Sequence, residues 1–367
     1  MKKIALVLGG GGLRGMSHIG VLKSLHKRGI KISEYIGSSM GALIASFAAS
    51  GIPIRFIEKV AKNLKKSDIL DFNPFDFLKY RLKTGWIYRG DKLETFLRNN
   101  LPVHTFDELK TPLYVNTVNL NTGGTVIWGL PSFRDVSLEE AVYSSCAFPI
   151  VFKPKKIKGE YYIDGGVADN LPIRITRFTR PDIIIAVNLR YRGVLKGKHL
   201  EQKGMISLLD QTNTIVGQVM TEHNLQLHND LKVIYIHPKV EEYGFLDFDH
   251  TEELIDEGER ATNEVLDGNK LFGSKENGRH IFGLFYKRKP VFNVNNDLCT
   301  GCGHCIISCP VNLYKTINGK SKYQFHHREK CTSCLQCIKN CPYGAISFEG
   351  EDKGFALHKL SNFFKKD

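Results

Sequence analysis

Residues 299–310 read CTGCGHCIISCP and residues 331–342 read CTSCLQCIKNCP. Each run is C-x2-C-x2-C-x3-C followed by proline, and the pair holds eight of the chain's nine cysteines. Spacing this tight favours metal binding over a disulfide framework. Four thiolates are the ligand set of a [4Fe–4S] cluster, and short spacers let three of them wrap one cube. The fourth, beyond a longer spacer and ahead of proline, reaches across to the other cluster. The expected ligand sets are therefore Cys299, Cys302, Cys305 and Cys341 for one cluster, and Cys331, Cys334, Cys337 and Cys309 for the second. Zinc needs only four thiolates per ion, usually as paired CxxC halves, and leaves the doubled run ending in proline unexplained.

Residues 291–350 accordingly resemble a bacterial-type two-cluster ferredoxin, a small α+β domain. The ninth cysteine, Cys146 in SSCAFP, stands alone and reads as a small buried apolar residue.

The front of the chain has a different texture. Short β-rich runs alternate with helical stretches over residues 1–265, the pattern of an α/β fold with a mainly parallel sheet. Strands are expected at Ile4–Leu8, Leu113–Asn119, Ile183–Asn188 and Lys232–His237. Helices are expected after Gly15, Met40 and Asp91, and from Thr251 to Leu266, where a threonine cap opens TEELIDEGERATNEVL. The apolar run Ile4–Leu8 is too short for a signal peptide, and glycines follow it instead of a cleavage site. With no export signal, a reducing cytoplasm is the expected setting. The uncharged stretch Tyr35–Ile54 approaches the length of a membrane span, but three glycines, four serines and Pro53 favour a buried core helix.

Three motifs in this part bear on chemistry. LGGGGLRG places Gly10-x-Gly12-x-x-Gly15 between a strand and a helix. A dinucleotide-binding unit looks the same, with Glu34 as its acidic residue. Gly37-Ser38-Ser39-Met40-Gly41 is a G-x-S-x-G between a strand end and a helix, the setting of a nucleophile elbow. YYIDGGVADNLP ends an apolar run on Asp164 and follows it with two glycines, which let another backbone come close.

In this order, and with Asn170-Leu171-Pro172 after the D-G-G, the motifs resemble the patatin-like phospholipases over residues 3–265. The resemblance implies a patatin-like layered α/β fold and a serine acyl hydrolase acting on phospholipids or lysophospholipids. It implies Ser39 as nucleophile and Asp164 as base. It puts the oxyanion hole at the backbone N–H groups of Gly10, Gly11 and Gly12, with the Met40 N–H adding to it. Arg14 either contacts a lipid headgroup or is a solvated arginine beside the loop. His18 reads as a packed side chain, because no histidine is required.

Four segments follow: an acyl hydrolase domain over 1–268, a basic aromatic linker over 269–290, the two-cluster domain over 291–350 and an amphipathic tail over 351–367. The formal charge is +13, and Lys270 to Pro290 alone holds six basic residues against one acidic. Such a surface suits anionic lipid headgroups at the inner membrane face, or serves solubility. A nucleic-acid partner is not expected, since no known binding fold surrounds these residues. Residues 72–90 mix aromatics with basic residues, as a lid over the site or a contact with a bilayer. Ester hydrolysis moves no electron, so the clusters serve a redox partner protein, sense redox state, or simply hold their own domain folded. The alternative is a lipid-tethered electron carrier whose hydrolase domain mainly binds.

Overall fold

The computed structural model describes residues 2–71, 85–189, 208, 211, 212, 214–221, 233–268 and 291–349, apart from 304, 307, 308, 310, 332–335, 340 and 342. The linker, the C-terminal tail, Cys334 and most of the aromatic-basic stretch lie outside the described residues. The chain divides into two compact units, Met1–Asp267 and Gly268–Asp367.

The first unit is built on strands β1 (Ile4–Leu8), β2 (Glu34–Ser38), β3 (Trp86–Tyr88), β4 (Leu113–Asn119), β5 (Thr125–Trp128), β6 (Ile150–Phe152), β7 (Lys155–Ile157), β8 (Glu160–Asp164), β9 (Ile183–Val187) and β10 (Val233–Ile236). Its main sheet runs β10-β9-β1-β2-β4-β8-β7, with β5 also on β4. The five strands from β10 to β4 are parallel, and β5, β7 and β8 add an antiparallel margin. Central parallel strands are covered on both faces, so they read as unbroken apolar runs. IALVL in β1 and IIIAV in β9 are such runs, and every residue of both is buried. Full burial of one of these leucines or isoleucines is worth about 1.5–3 kcal/mol.

The helices that matter below are α1 (Ser17–Lys27), α2 (Met40–Ala49), α3 (Ile54–Asn63), α4 (Asp91–Asn100), α5 (Leu138–Cys146) and α6 (Thr251–Asp267). The expected core helix over Tyr35–Ile54 is in fact β2, a tight turn and α2, with α3 beginning at Ile54. Among the described residues no helix is long and apolar enough to cross a membrane.

Helices α1 and α6 cross at a pair of glycines. A Cβ on Gly20 would overlap Ile255 O, and one on Gly258 would overlap Ser17 O. Nothing larger than hydrogen fits at either position, so the backbones touch. Ser24 Oγ donates to Asn263 Oδ1 at 2.7 Å beside the crossing, and Arg28 pairs with Asp267 at 2.6 Å at its end.

The second unit pairs β11 (Val291–Val294) with β14 (Ile346–Glu349) and β12 (Tyr314–Ile317) with β13 (Lys320–Tyr323), both antiparallel. Asn318 and Gly319 join β12 to β13 with φ of 49° and 69°. Two successive positive values are what the right-handed twist of a two-residue hairpin demands, and Asn-Gly is the pair that adopts them most cheaply.

Candidate functional site

Ser39 lies between β2 and α2 with φ 54° and ψ −130°, a conformation that non-glycine residues rarely adopt. The flanking glycines make the turn sterically feasible. A Cβ on Gly37 would strike the first turn of α2 at Ala42, and one on Gly41 would strike Leu8 O at the end of β1. The strained backbone is held from two sides. Ser39 N donates to Ser145 Oγ on α5 at 2.9 Å, and Ser145 Oγ donates to Asn116 O on β4 at 2.7 Å.

Asp164 ends β8 and is 3% exposed. Ser38 pairs with Asn116, and the next residue of β4, Thr117, pairs with Asp164. The serine and the aspartate therefore lie at the same level of the sheet, at the ends of strands on either side of β4. Gly166 N donates to Asp164 Oδ1 at 2.7 Å and fixes the carboxylate. Asn116 Nδ2 holds the turn that follows, donating to Gly165 O at 3.1 Å and Asp169 O at 2.8 Å. Cys146 is buried close by, and burial first, then the charge of Asp164, pushes its thiol well up in pKa. It remains an uncharged apolar neighbour.

The glycine loop rests on Ser39 and Asn170. A Cβ on Gly10 would come 2.9 Å from Ser39 Cβ and 2.7 Å from Asn170 Oδ1. Gly10 N donates to Asn170 O at 3.2 Å and Gly9 N to Val187 O at 3.0 Å. Leu13 N donates to Phe245 O at 2.9 Å. The N–H groups of Gly11 and Gly12 carry no hydrogen bond to a described residue, nor does Met40 N at the start of α2. Of the four donors expected from the sequence, Gly10 is thus already engaged, because its peptide is stitched to the turn after Asp164. Arg14 is buried and donates from Nε to Tyr243 O at 2.9 Å, tying residues 243–245 over the loop. Phe245 packs on Phe148, ring centres 5.0 Å apart, and against the face of Gly12.

His18 is fully buried in α1 and faces Gly9 O at 2.8 Å through Nε2, while Nδ1 meets no partner. Burial, opposed by the bond to Gly9, lowers its pKa to about 4. The unfolded chain then takes up this proton first, near the ordinary value of 6.5. Stability is complete above that value, falls as pH drops, and levels off below 4, for a total of about 3 kcal/mol. Urea midpoints of wild type and His18→Gln between pH 7 and 4 should show the steeper decline in wild type. Parallel curves would refute it.

Glu34 sits at the start of β2, at the opposite end of the sheet from the glycine loop, ion-paired to Lys3 at 3.1 Å. It cannot serve a dinucleotide ribose at that loop.

In the second unit, Cys299, Cys302, Cys305 and Cys341 line a single concavity, with Ser321, Tyr343 and Ala345. Among the described residues no three such side chains close on a point, as one mononuclear ion would require; these four thiols instead surround a space. Backbone N–H groups already aim at sulfur: Ser321 N at Cys299 Sγ (3.4 Å), Ala345 N at Cys341 Sγ and Leu313 N at Cys309 Sγ (both 3.3 Å). The Tyr314 hydroxyl is buried against the sulfur of Cys337. Burial, then the charge of Cys337, pushes its pKa well up, with Cys305 and Cys309 adding to it. It stays a donor facing sulfur, which is what a sulfide-rich group would satisfy.

Comparison with known proteins agrees with both halves. Residues 6–177 match the family model described as patatin-like phospholipase, and residues 292–348 match that of a 4Fe-4S dicluster domain. An NTE family protein of Mycobacterium tuberculosis is 33% identical over 187 residues, covering 51% of this chain and 49% of that one. The chain thus spans about half the length of such relatives. Protein YqhO of Bacillus subtilis is 29% identical over 209 residues, covering 51% and 71%. Lysophospholipase NTE1 of Mycosarcoma maydis is 23% identical over 292 residues, covering 72% and 15%. The crystal structure of VipD from Legionella pneumophila superposes with a TM-score of 0.41 at 18% identity, over 72% of this chain and 66% of that one.

Proposed function

Because this chain carries a patatin-like phospholipase domain joined to a 4Fe-4S dicluster domain, we propose that it is a serine acyl hydrolase cleaving ester bonds of phospholipids or lysophospholipids. The observation that carries this reading is Ser39, held at φ 54° against Gly10, in a loop whose next two N–H groups, Gly11 and Gly12, carry no hydrogen bond to a described residue. Ser39 Oγ attacks the ester carbonyl while Asp164 accepts its proton. The carbonyl oxygen takes the negative charge and is met by the N–H groups of Gly11, Gly12 and Met40, aided by the N-terminus of α2. Collapse expels the lipid alcohol, protonated by Asp164, and leaves an acyl ester on Ser39. Asp164 then draws a proton from water, which attacks that ester, and returns it to Ser39 Oγ as the acyl–Oγ bond breaks and the fatty acid leaves. Arg14 is assigned the tether to Tyr243 in preference to a headgroup contact. A cytoplasmic protein of formal charge +13 would meet its substrate at the anionic inner membrane surface.

The test is hydrolysis of phospholipid and lysophospholipid vesicles by anaerobically purified protein, oxidised and reduced, beside Ser39→Ala. Activity should fall by at least about 10³-fold in the variant. A several-fold difference between redox states would make the second domain a gate, and equal rates an independent module. Wild type no more active than Ser39→Ala on either lipid class would overturn the hydrolase.

For the second domain we infer two [4Fe–4S] clusters in the crossed ligand sets given above, serving a redox partner protein or sensing redox state. When bound, each cluster supplies one-electron transfer. Cys341→Ala should lower iron from about eight to about four per chain and remove the same electron paramagnetic resonance signal as Cys299→Ala. Cys309→Ala should remove the other signal. Loss of different signals in Cys341→Ala and Cys299→Ala would count against crossing.

A further inference from the structure

The hydrolase reading leaves one side chain unused at the centre of the site. Asn170 follows the Asp164 turn and is 2% exposed. It grips Gly10 twice: Asn170 Nδ2 donates to Gly10 O at 3.0 Å, and Gly10 N donates to Asn170 O at 3.2 Å. Its other amide atom faces the opposite loop. A Cβ on Gly166 would come 2.8 Å from Asn170 Oδ1 and 3.0 Å from Asp164 Oδ1. The Asn170 amide therefore lies between Gly10, which abuts Ser39, and Gly166, whose N–H holds Asp164. With both ends of the Gly10 peptide taken up, the next two N–H groups in the loop are the ones left for a ligand.

We propose that Asn170 is a positioning residue for ester hydrolysis, locking the oxyanion loop to the turn that carries the base. The inference rests on the hydrolase reading and deepens it. A carboxamide is the group the place demands. It needs a donor toward Gly10 O and an uncharged oxygen toward Asp164. Aspartate has the same shape but turns the donor into an acceptor and adds a negative charge next to the base. The two oxygens would be no farther apart than the sum of their distances to the Gly166 position.

The experiment compares Asn170→Asp and Asn170→Ala with wild type and Ser39→Ala on a lysophospholipid, as kcat, KM and pH profile, alongside thermal midpoints. Asn170→Asp should lose about 10²-fold or more in kcat with KM little changed. Its acid limb in kcat/KM should move up by about one pH unit or more, because a neighbouring carboxylate makes Asp164 easier to protonate. Asn170→Ala should lose kcat with an unmoved acid limb, since it brings no charge. Should Asn170→Asp not fold, Asn170→Ala decides alone: a loss in kcat supports the role and a loss confined to KM overturns it. Folded Asn170→Asp with kcat within threefold of wild type, or with an unmoved acid limb, also overturns it. If wild type shows no Ser39-dependent hydrolysis, the hydrolase reading falls first and this inference with it. Ser39-dependent activity indifferent to Asn170 removes this inference alone.

Discussion

Asp164→Asn is expected to lower kcat on lipid esters by about 10³–10⁴-fold, the scale seen when a catalytic aspartate is made an amide. The substitution is nearly isosteric, and the Asn oxygen still accepts from Gly166 N, which lies 2.7 Å from Asp164 Oδ1 in the native turn. What vanishes, on the proposed dyad, is the proton acceptor for Ser39. No other group replaces it. His18 is buried under Gly9 with its donor committed, and Cys146 is held as a thiol. KM should stay within a few-fold, because binding does not require the charge. Steady-state kinetics beside the thermal midpoint make the check. A folded variant within tenfold of wild type would mean that Asp164 only shapes the turn.

Gly258→Ala should cost about 3 kcal/mol or more, the upper range for forcing a group into a filled interior. The added methyl lands on Ser17 O, backbone inside α1 that cannot swing away like a side chain. In a domain of this size that lowers the thermal midpoint by about 10 °C. Activity of the surviving folded fraction should fall as well, since α1 continues directly from the glycine loop and carries His18 beneath it. Gly85→Ala is the control: nothing lies within 4 Å of its Cβ position, and its midpoint should not move. Equal midpoints for the two variants would show that the helices separate freely at this crossing.

Motifs with chemistry at fixed spacing were readable in the chain; their supports were not. G-x-S-x-G, D-G-G and the doubled cysteine run announce themselves because each requirement is local. β1, β4 and α6 were likewise legible, being long enough to show their periods. The antiparallel margin escaped notice, since β7 has three residues and they include Lys155 and Lys156, while β5 has four. Ser145 and Asn116 escaped for another reason. Each is an unremarkable polar residue until folding brings α5 against β4 behind Ser39. Gly20 and Gly258 look like indifferent helix residues because their requirement is a crossing between distant segments. Asn318-Gly319 was a local hairpin signal that could have been read in advance.

The glycine crossing also bears on when the protein becomes competent during synthesis. β1 waits for β9 on one side until residue 187 has emerged, and α1, already paired with α3 through Lys23 and Glu58, waits for α6 until Gly258 follows. A chain stalled on the ribosome before that point already carries Ser39 and Asp164, yet the helix beneath its glycine loop lacks its crossing with α6. Prematurely terminated products therefore lack the glycine clasp that braces the helix following the loop.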